Sequence, residues 1–245
     1  MDLHLQSLYN EGLMDKKKQE HTRAASYENY TIDLGKVYYQ RILKEVRGYA
    51  PKTLGLKLLD IGCFDGTLAS QLMPDWECFG LEGNVDACEK AKEKRVKAVL
   101  HDLEKTLPFG NNTFECVIAA EIIEHVYDTD FFLDEIHRVL KPGGLLVLST
   151  PNIACLTNRL RLAFGLYPRY AEYRAGGAGH IRIYTSQVIR SQIIERGFEI
   201  LRYAGCNLPL PMHHPMLPRW LKRFAIKGGD YFPGLAGQVV ITAKK

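Results

Sequence analysis

Residues 56–69 read LKLLDIGCFDGTLA. Leu56 to Ile61 is a short apolar run with one acid, Asp60, near its end. The run breaks into a turn bounded by Gly62 and Gly66, and Thr67 opens a helix-like segment. A buried strand, a glycine turn and a helix N-terminus together let backbone press closely against a nucleotide-like ligand. The rest of the chain decides which ligand.

Downstream of this stretch the pattern alternates. Strands are expected at 56–61, 77–81, 96–100, 114–120, 144–149, 198–204 and 238–243, with helices at 67–73, 84–94, 129–140 and 185–196. Apolar strands alternating with amphipathic helices predict an α/β fold, an open parallel sheet covered on both faces. Lys141-Pro142-Gly143-Gly144 marks a tight turn before an apolar strand, and Gly197 a helix end. Upstream, Val37, Ile42, Leu43 and Val46 form a helical stripe that Pro51 stops. Residues 1–50 are therefore expected to form a helical extension, either packed on the domain or acting as a lid.

The whole chain reads as a single domain over 1–245, with 245 residues enough for a substantial core. Apolar content of 46% and charged content of 24% suit a globular protein in water, and a net charge of +4 is too small to argue for nucleic acid. No apolar run reaches the roughly 20 residues of a membrane span, and the N-terminus lacks the apolar core of a signal peptide. Six cysteines are scattered without a CxxC pair, which points to buried free thiols and a cytoplasmic setting.

The glycine turn, Gly62-Cys63-Phe64-Asp65-Gly66, lacks the middle glycine of a dinucleotide fingerprint and carries Asp65 instead. A carboxylate there repels a pyrophosphate and suits a ligand carrying an amine. Glu82 ends the next strand, where an acid accepts ribose hydroxyls. His101-Asp102-Leu103 ends the third, offering an acceptor for an exocyclic amine. Ribose, adenine and ammonium without phosphate describe S-adenosylmethionine (SAM). A nicotinamide oxidoreductase is disfavoured by the same turn.

These motifs resemble those of class I SAM-dependent methyltransferases, of the type 11, ubiquinone-pathway O-methyltransferase-like kind. LLDIGCFDG is similar to the first motif, FGLEGN to the second, HDLEKTLPF to the adenine-side motif, and LKPGGLLVLSTPN to the post-fifth-strand motif. The resemblance covers roughly 55–150 and, more weakly, 180–204. Phe64 departs from it, standing where the family has glycine or a small residue. The resemblance implies a Rossmann-like, seven-stranded, mostly parallel sheet with helices on both faces. It also implies that Asp60 and Gly62 line the methionine moiety, Glu82 holds the ribose, and Asp102 with Leu103 frames the adenine. Cys63, Asp65, Gly66, Gly83 and Glu121 are expected to complete the cofactor's surroundings, with S-adenosyl-L-homocysteine as product.

After the fourth strand the chain reads Ala120-Glu121-Ile122-Ile123-Glu124-His125-Val126. If this is one helical turn, Glu121, Glu124 and His125 share a face. Two carboxylates and an imidazole suit Mg²⁺ or another divalent metal, and His180, opening HIRIYT, can fold back over the same mouth. The set is similar to the metal site of small-RNA 2′-O-methyltransferases, and ubiquinone-pathway enzymes carry a comparable Glu-x-x-Glu-His segment. Without a metal, His125 is the first candidate for general base and His180 the second.

Segments 151–180 and 205–237 interrupt the rhythm and read as substrate-side insertions. The first mixes arginines 159, 161, 169 and 174 with aromatics 164, 167, 170 and 173. The second contains Trp220-Leu221-Lys222-Arg223-Phe224, which suits a hydrophobic lid or peripheral membrane contact. The expected activity is methyl transfer to a small-molecule or lipid-like acceptor, with oxygen as the expected acceptor atom by the resemblance. RNA 2′-O-methylation and a catalytically silent SAM-fold interaction module are the alternatives, and nucleic acid is the less favoured partner for want of a basic stripe.

Overall fold

The computed structural model describes residues 32–49, 55–171, 179–206, 208, 218, 225 and 227–245. The polar N-terminal stretch and the whole Trp220–Phe224 segment lie outside the described residues. The chain runs α1 (Val37–Tyr49), β1 (Leu56–Ile61), α2 (Thr67–Ser70), β2 (Trp76–Glu82), α3 (Val85–Glu93), β3 (Lys97–Leu100) and β4 (Phe114–Ala120). It continues with α4 (Thr129–Val139), β5 (Leu140–Pro151), α5 (Leu156–Ala163), α6 (Ser186–Glu195), β6 (Glu199–Gly205) and β7 (Gln238–Lys244).

The strands form one seven-stranded sheet in the order β3-β2-β1-β4-β5-β7-β6. All pairs from β3 to β5 are parallel, and β7 runs antiparallel between β5 and β6. The chain winds outward one way from β1 and returns to start β4 on its other side. This reversal opens a crevice at the carboxyl ends of β1 and β4, where such sheets bind ligands.

Alternating side chains give the sheet its two covered faces. Leu59 and Ile61 of β1 join Phe132, Leu133 and Ile136 of α4 and Ile189 and Ile193 of α6 on one face. Leu58 joins Tyr38, Ile42 and Val46 of α1, Leu68 of α2 and Cys88 and Ala91 of α3 on the other. Helix α1 is thus part of the core, with Ile42 and Val46 fully buried. Burying each such side chain contributes about 1.5–3 kcal/mol.

The boundaries depart from the sequence reading in two places. The turn at Lys141–Gly144 is absorbed into a longer β5, with a register shift against β4 between Phe114 and Cys116. Helix α2 is a single turn, shorter than its apolar pattern suggests. All six cysteines are buried free thiols. Among the described residues no helix is long and apolar enough to cross a membrane.

Candidate active site

Asp60 sits at the carboxyl end of β1, 2% exposed, and its Oδ2 has no hydrogen-bond partner. Burial, reinforced by the nearby charge of Glu82, raises its pKa from 3.8 to about 8. A buried carboxylate oxygen left unpaired is costly unless a cation or donor meets it. Glu82, at the end of β2, accepts the Phe64 amide on Oε2 at 2.8 Å and the Asn84 amide on Oε1 at 2.9 Å. Burial raises its pKa, and the amides of Asn84, Phe64 and Gly83 oppose that rise. Glu82 therefore ties the β1 and β2 loops together while each oxygen keeps a second lone pair.

The turn itself requires glycine. Gly62 has φ +72°, and a Cβ there would lie 2.8 Å from Ile122 Cδ1. Phe64, the departure from the family pattern, also takes a positive φ of 47°, a conformation glycine adopts without strain.

Other candidate residues meet protein groups. The Cys63 thiol is buried against Gly80, where an added Cβ would come within 2.5 Å of its sulfur, so Cys63 turns only backbone toward the crevice rim. Asp65 does not offer its carboxylate to an incoming amine. Oδ2 binds Lys94 Nζ at 2.5 Å and the Thr67 hydroxyl at 2.9 Å, while Oδ1 accepts the Thr67 amide. Burial alone would raise the Asp65 pKa, but the bonds from Lys94 and Thr67 hold it below the usual carboxylate range. Gly66 keeps φ +72° where α2 begins, pressed against Ala91 and Val96 of the α3 side. Gly83 is exposed, and a Cβ added there would meet only the His101 carbonyl, at 3.8 Å. Asp102 is exposed and accepts the Glu104 amide, and Leu103 leans, half-buried, on the core.

The segment after β4 is not the single α-helical turn that would put Glu121, Glu124 and His125 on one face. Glu121 has φ +52° and precedes a tight 3₁₀ turn, Ile123–His125. Its amide donates to the Ser149 carbonyl and hydroxyl, and its Oε1 accepts the Ser149 hydroxyl at 2.8 Å. Burial raises its pKa to about 7, against the lowering effect of that hydroxyl and of Lys36.

Glu121 is not among the residues that converge here: Glu124, His125 and His180 offer ligand atoms all within 4.8 Å of one another. Glu124 is 2% exposed; its Oε2 accepts the Thr150 hydroxyl and its Oε1 has no partner. Burial and then the charge of Glu121 push its pKa well above the usual carboxylate range. The two imidazoles lie with ring centroids 4.9 Å apart. His125 Nδ1 is 3.1 Å from the Gly179 carbonyl, and His180 Nδ1 is 3.1 Å from the Tyr170 carbonyl. A carbonyl oxygen can only accept, so both Nδ1 atoms donate, and in the neutral ring the lone pair is then on Nε2. His180 reaches this point because the Ile181 and Arg182 amides both bond the Glu124 carbonyl.

A family model described as a methyltransferase domain matches residues 32–203. The chain belongs to the SAM-dependent methyltransferases. The human mitochondrial ubiquinone biosynthesis O-methyltransferase is 32% identical over 135 residues, which is 50% of this chain and 37% of that protein. The ubiquinone biosynthesis O-methyltransferase of Chelativorans is 26% identical over 178 residues, 68% of this chain and 66% of that one. The match thus spans only about a third of the first mammalian relatives. A solved SAM-dependent methyltransferase of Thermotoga maritima shares the fold, with a TM-score of 0.61 at 19% identity over 85% of this chain and 91% of that one.

Beside the methyltransferase's Glu124 and His180 lies a narrow cleft, also lined by Thr150, Pro151, Ile153, Tyr170, Arg182 and Tyr184. Sequence reasoning missed Ser149 and Thr150, and singled out Tyr170 only as an aromatic of the first insertion. Ser149 and Thr150 had a signal: they are hydroxyls ending an otherwise apolar strand, LLVLSTP. They are fully buried and satisfy Glu121 and Glu124. The Tyr170 contact to His180 had no signal, because it is made by a main-chain carbonyl.

Proposed function

We propose that this methyltransferase moves the methyl group of SAM to an oxygen of a small or lipid-like acceptor seated in the cleft beside Glu124 and His180. The reading is supported first by the donors for the cofactor. Asp60 has the unpaired buried oxygen that an ammonium would meet, Gly62 leaves room for close backbone approach, and Glu82 has lone pairs for ribose hydroxyls. Asp102 and Leu103 flank the adenine side. Bound SAM supplies a methyl group on a sulfonium, which is lost by in-line displacement. The protein's own work is then alignment and preparation of the nucleophile, and alignment alone is worth about 7–11 kcal/mol in favourable cases.

The observation that carries the acceptor side is the convergence of Glu124, His125 and His180, whose ligand atoms lie within 4.8 Å of one another, together with an unpaired buried oxygen on Glu124. One buried carboxylate and two imidazoles with their lone pairs on Nε2 fit a divalent cation, and imidazole ligands commonly hold their other N–H against a carbonyl, as both do here. Such an ion would lower the pKa of an acceptor hydroxyl. A second reading has support in the same geometry: with no ion, His125 takes the acceptor's proton on Nε2 while the Gly179 carbonyl fixes its tautomer. Turnover measured with Mg²⁺, Mn²⁺ or Zn²⁺ and with a chelator separates them. Loss of activity in chelator with restoration by one ion supports the cation. Full activity in chelator, abolished in His125→Ala, supports the base. Full activity in both conditions with His125→Ala removes the whole acceptor assignment.

A further inference from the structure

Asn158 of α5 is fully buried, although it belongs to a helix whose outer face is open to water. Its amide Nδ2 donates to the Ile153 carbonyl and to the Arg169 carbonyl, both at 2.9 Å. Its Oδ1 accepts the Arg169 amide at 2.7 Å. One side chain therefore holds both main-chain groups of Arg169, as a strand neighbour would, and anchors them to the end of β5 through Ile153. The next residue, Tyr170, is held at φ +70°, a conformation a non-glycine residue keeps only when its surroundings impose it. In that conformation its carbonyl receives the Nδ1–H of His180.

We infer that Asn158 is a positioning residue for His180: by clasping the Arg169 backbone it aims the Tyr170 carbonyl, which sets the tautomer and orientation of the His180 imidazole. The inference rests on the acceptor-side assignment above for its use in catalysis, but its physical content is independent of any ion. Removing the Asn158 amide takes from the part-buried Arg169 N–H and C=O the one side chain that holds them both, so the Arg169–Tyr170 peptide relaxes and the carbonyl turns away. His180 Nδ1 then loses the Tyr170 carbonyl that accepts its proton.

The test uses the full chain with ¹⁵N-labelled histidine, comparing wild type with Asn158→Ala and assigning the His180 signal by its loss in His180→Gln. Wild type is expected to show His180 protonated at Nδ1, and Asn158→Ala a mixture with the Nε2-protonated form. The Mn²⁺ dissociation constant is expected to rise about 10–100-fold, the usual effect of removing a partner behind a ligand, with SAM affinity unchanged. An unaltered His180 signal in Asn158→Ala overturns the inference. So does equal weakening of SAM and Mn²⁺ binding, which marks general damage. Should wild type bind no Mn²⁺, the cation reading falls while the tautomer comparison still decides this one. If Asn158→Ala does not fold, Asn158→Ser, whose single hydroxyl can satisfy only one carbonyl, is expected to give the same tautomer shift.

Discussion

Thr150 donates its hydroxyl to Glu124 Oε2 at 3.1 Å, while Glu124 Oε1 lies buried with no protein partner. One oxygen is fixed by Thr150 and the other is unpaired, in a carboxylate that lies within 4.8 Å of ring nitrogens of His125 and His180. Glu124→Gln keeps the shape and removes the charge. It is expected to abolish divalent-ion binding measured by calorimetry and to lower kcat about 10²-fold or more, with SAM affinity retained. Thr150→Val frees the carboxylate to rotate and is expected to weaken ion binding less than Glu124→Gln does. Equal SAM-binding defects in both variants would mark Glu124 as structural.

The raised Asp60 pKa gives a prediction in pH. The folded value, about 8, exceeds the ordinary 3.8, so the ligand-free fold holds a proton that the unfolded chain has released between those values. Stability from this group is full below about pH 4 and is lost as pH climbs through the folded value. A cationic ligand group against Asp60 favours the ionised form. SAM binding is therefore expected to release a proton between pH 6 and 8 and to tighten with pH, by up to about tenfold per unit. Calorimetry in buffers of different ionisation enthalpy measures the proton. Asp60→Asn should bind weakly with a flat profile; a slope unchanged in that variant assigns the proton elsewhere.

Much of the frame was readable because it rests on short-range pattern. All seven strands follow from apolar runs of the right length, and Asp60, Gly62 and Glu82 follow from strand ends and a glycine turn. The misreadings have a common cause in how main chain and partners arrange side chains across long sequence separations. Spacing suggested that Glu121 stands with Glu124 and His125, but a positive φ at Glu121 rotates it to Ser149. Asp65 looked free until Lys94 on the far side of α3 came to meet it. Asn158 looks like any polar helix residue, and only the fold brings Arg169 against its amide.

The pairing of Asp65 with Lys94 leads to an expectation opposite to the one its position in the loop suggests. Asp65→Asn should leave SAM affinity nearly unchanged. The pair is partly exposed, so its loss is expected to cost less than about 1 kcal/mol in chemical denaturation. Because the Asp65 pKa is depressed, that contribution is present above the ordinary carboxylate value and fades as pH falls through the folded one. A large drop in SAM affinity in Asp65→Asn, with stability intact, would restore the carboxylate to the cofactor site.

His125 and His180 separate by their supports as well as by their positions. His125 follows directly from the 3₁₀ turn and bonds Gly179, whereas His180 arrives from the returning segment and bonds Tyr170. As ligands of one ion they act as a unit, so His125→Ala, His180→Ala and the double variant should lose similar activity, far less than the product of the single effects. As base and bystander they behave differently: His125→Ala should slow transfer by about 10²–10⁴-fold and His180→Ala much less. Single-turnover rates with SAM saturating distinguish the two outcomes. His180→Ala measured in both backgrounds decides between them: a shared ion makes it costly alone and nearly silent beside His125→Ala, whereas a bystander costs little in either.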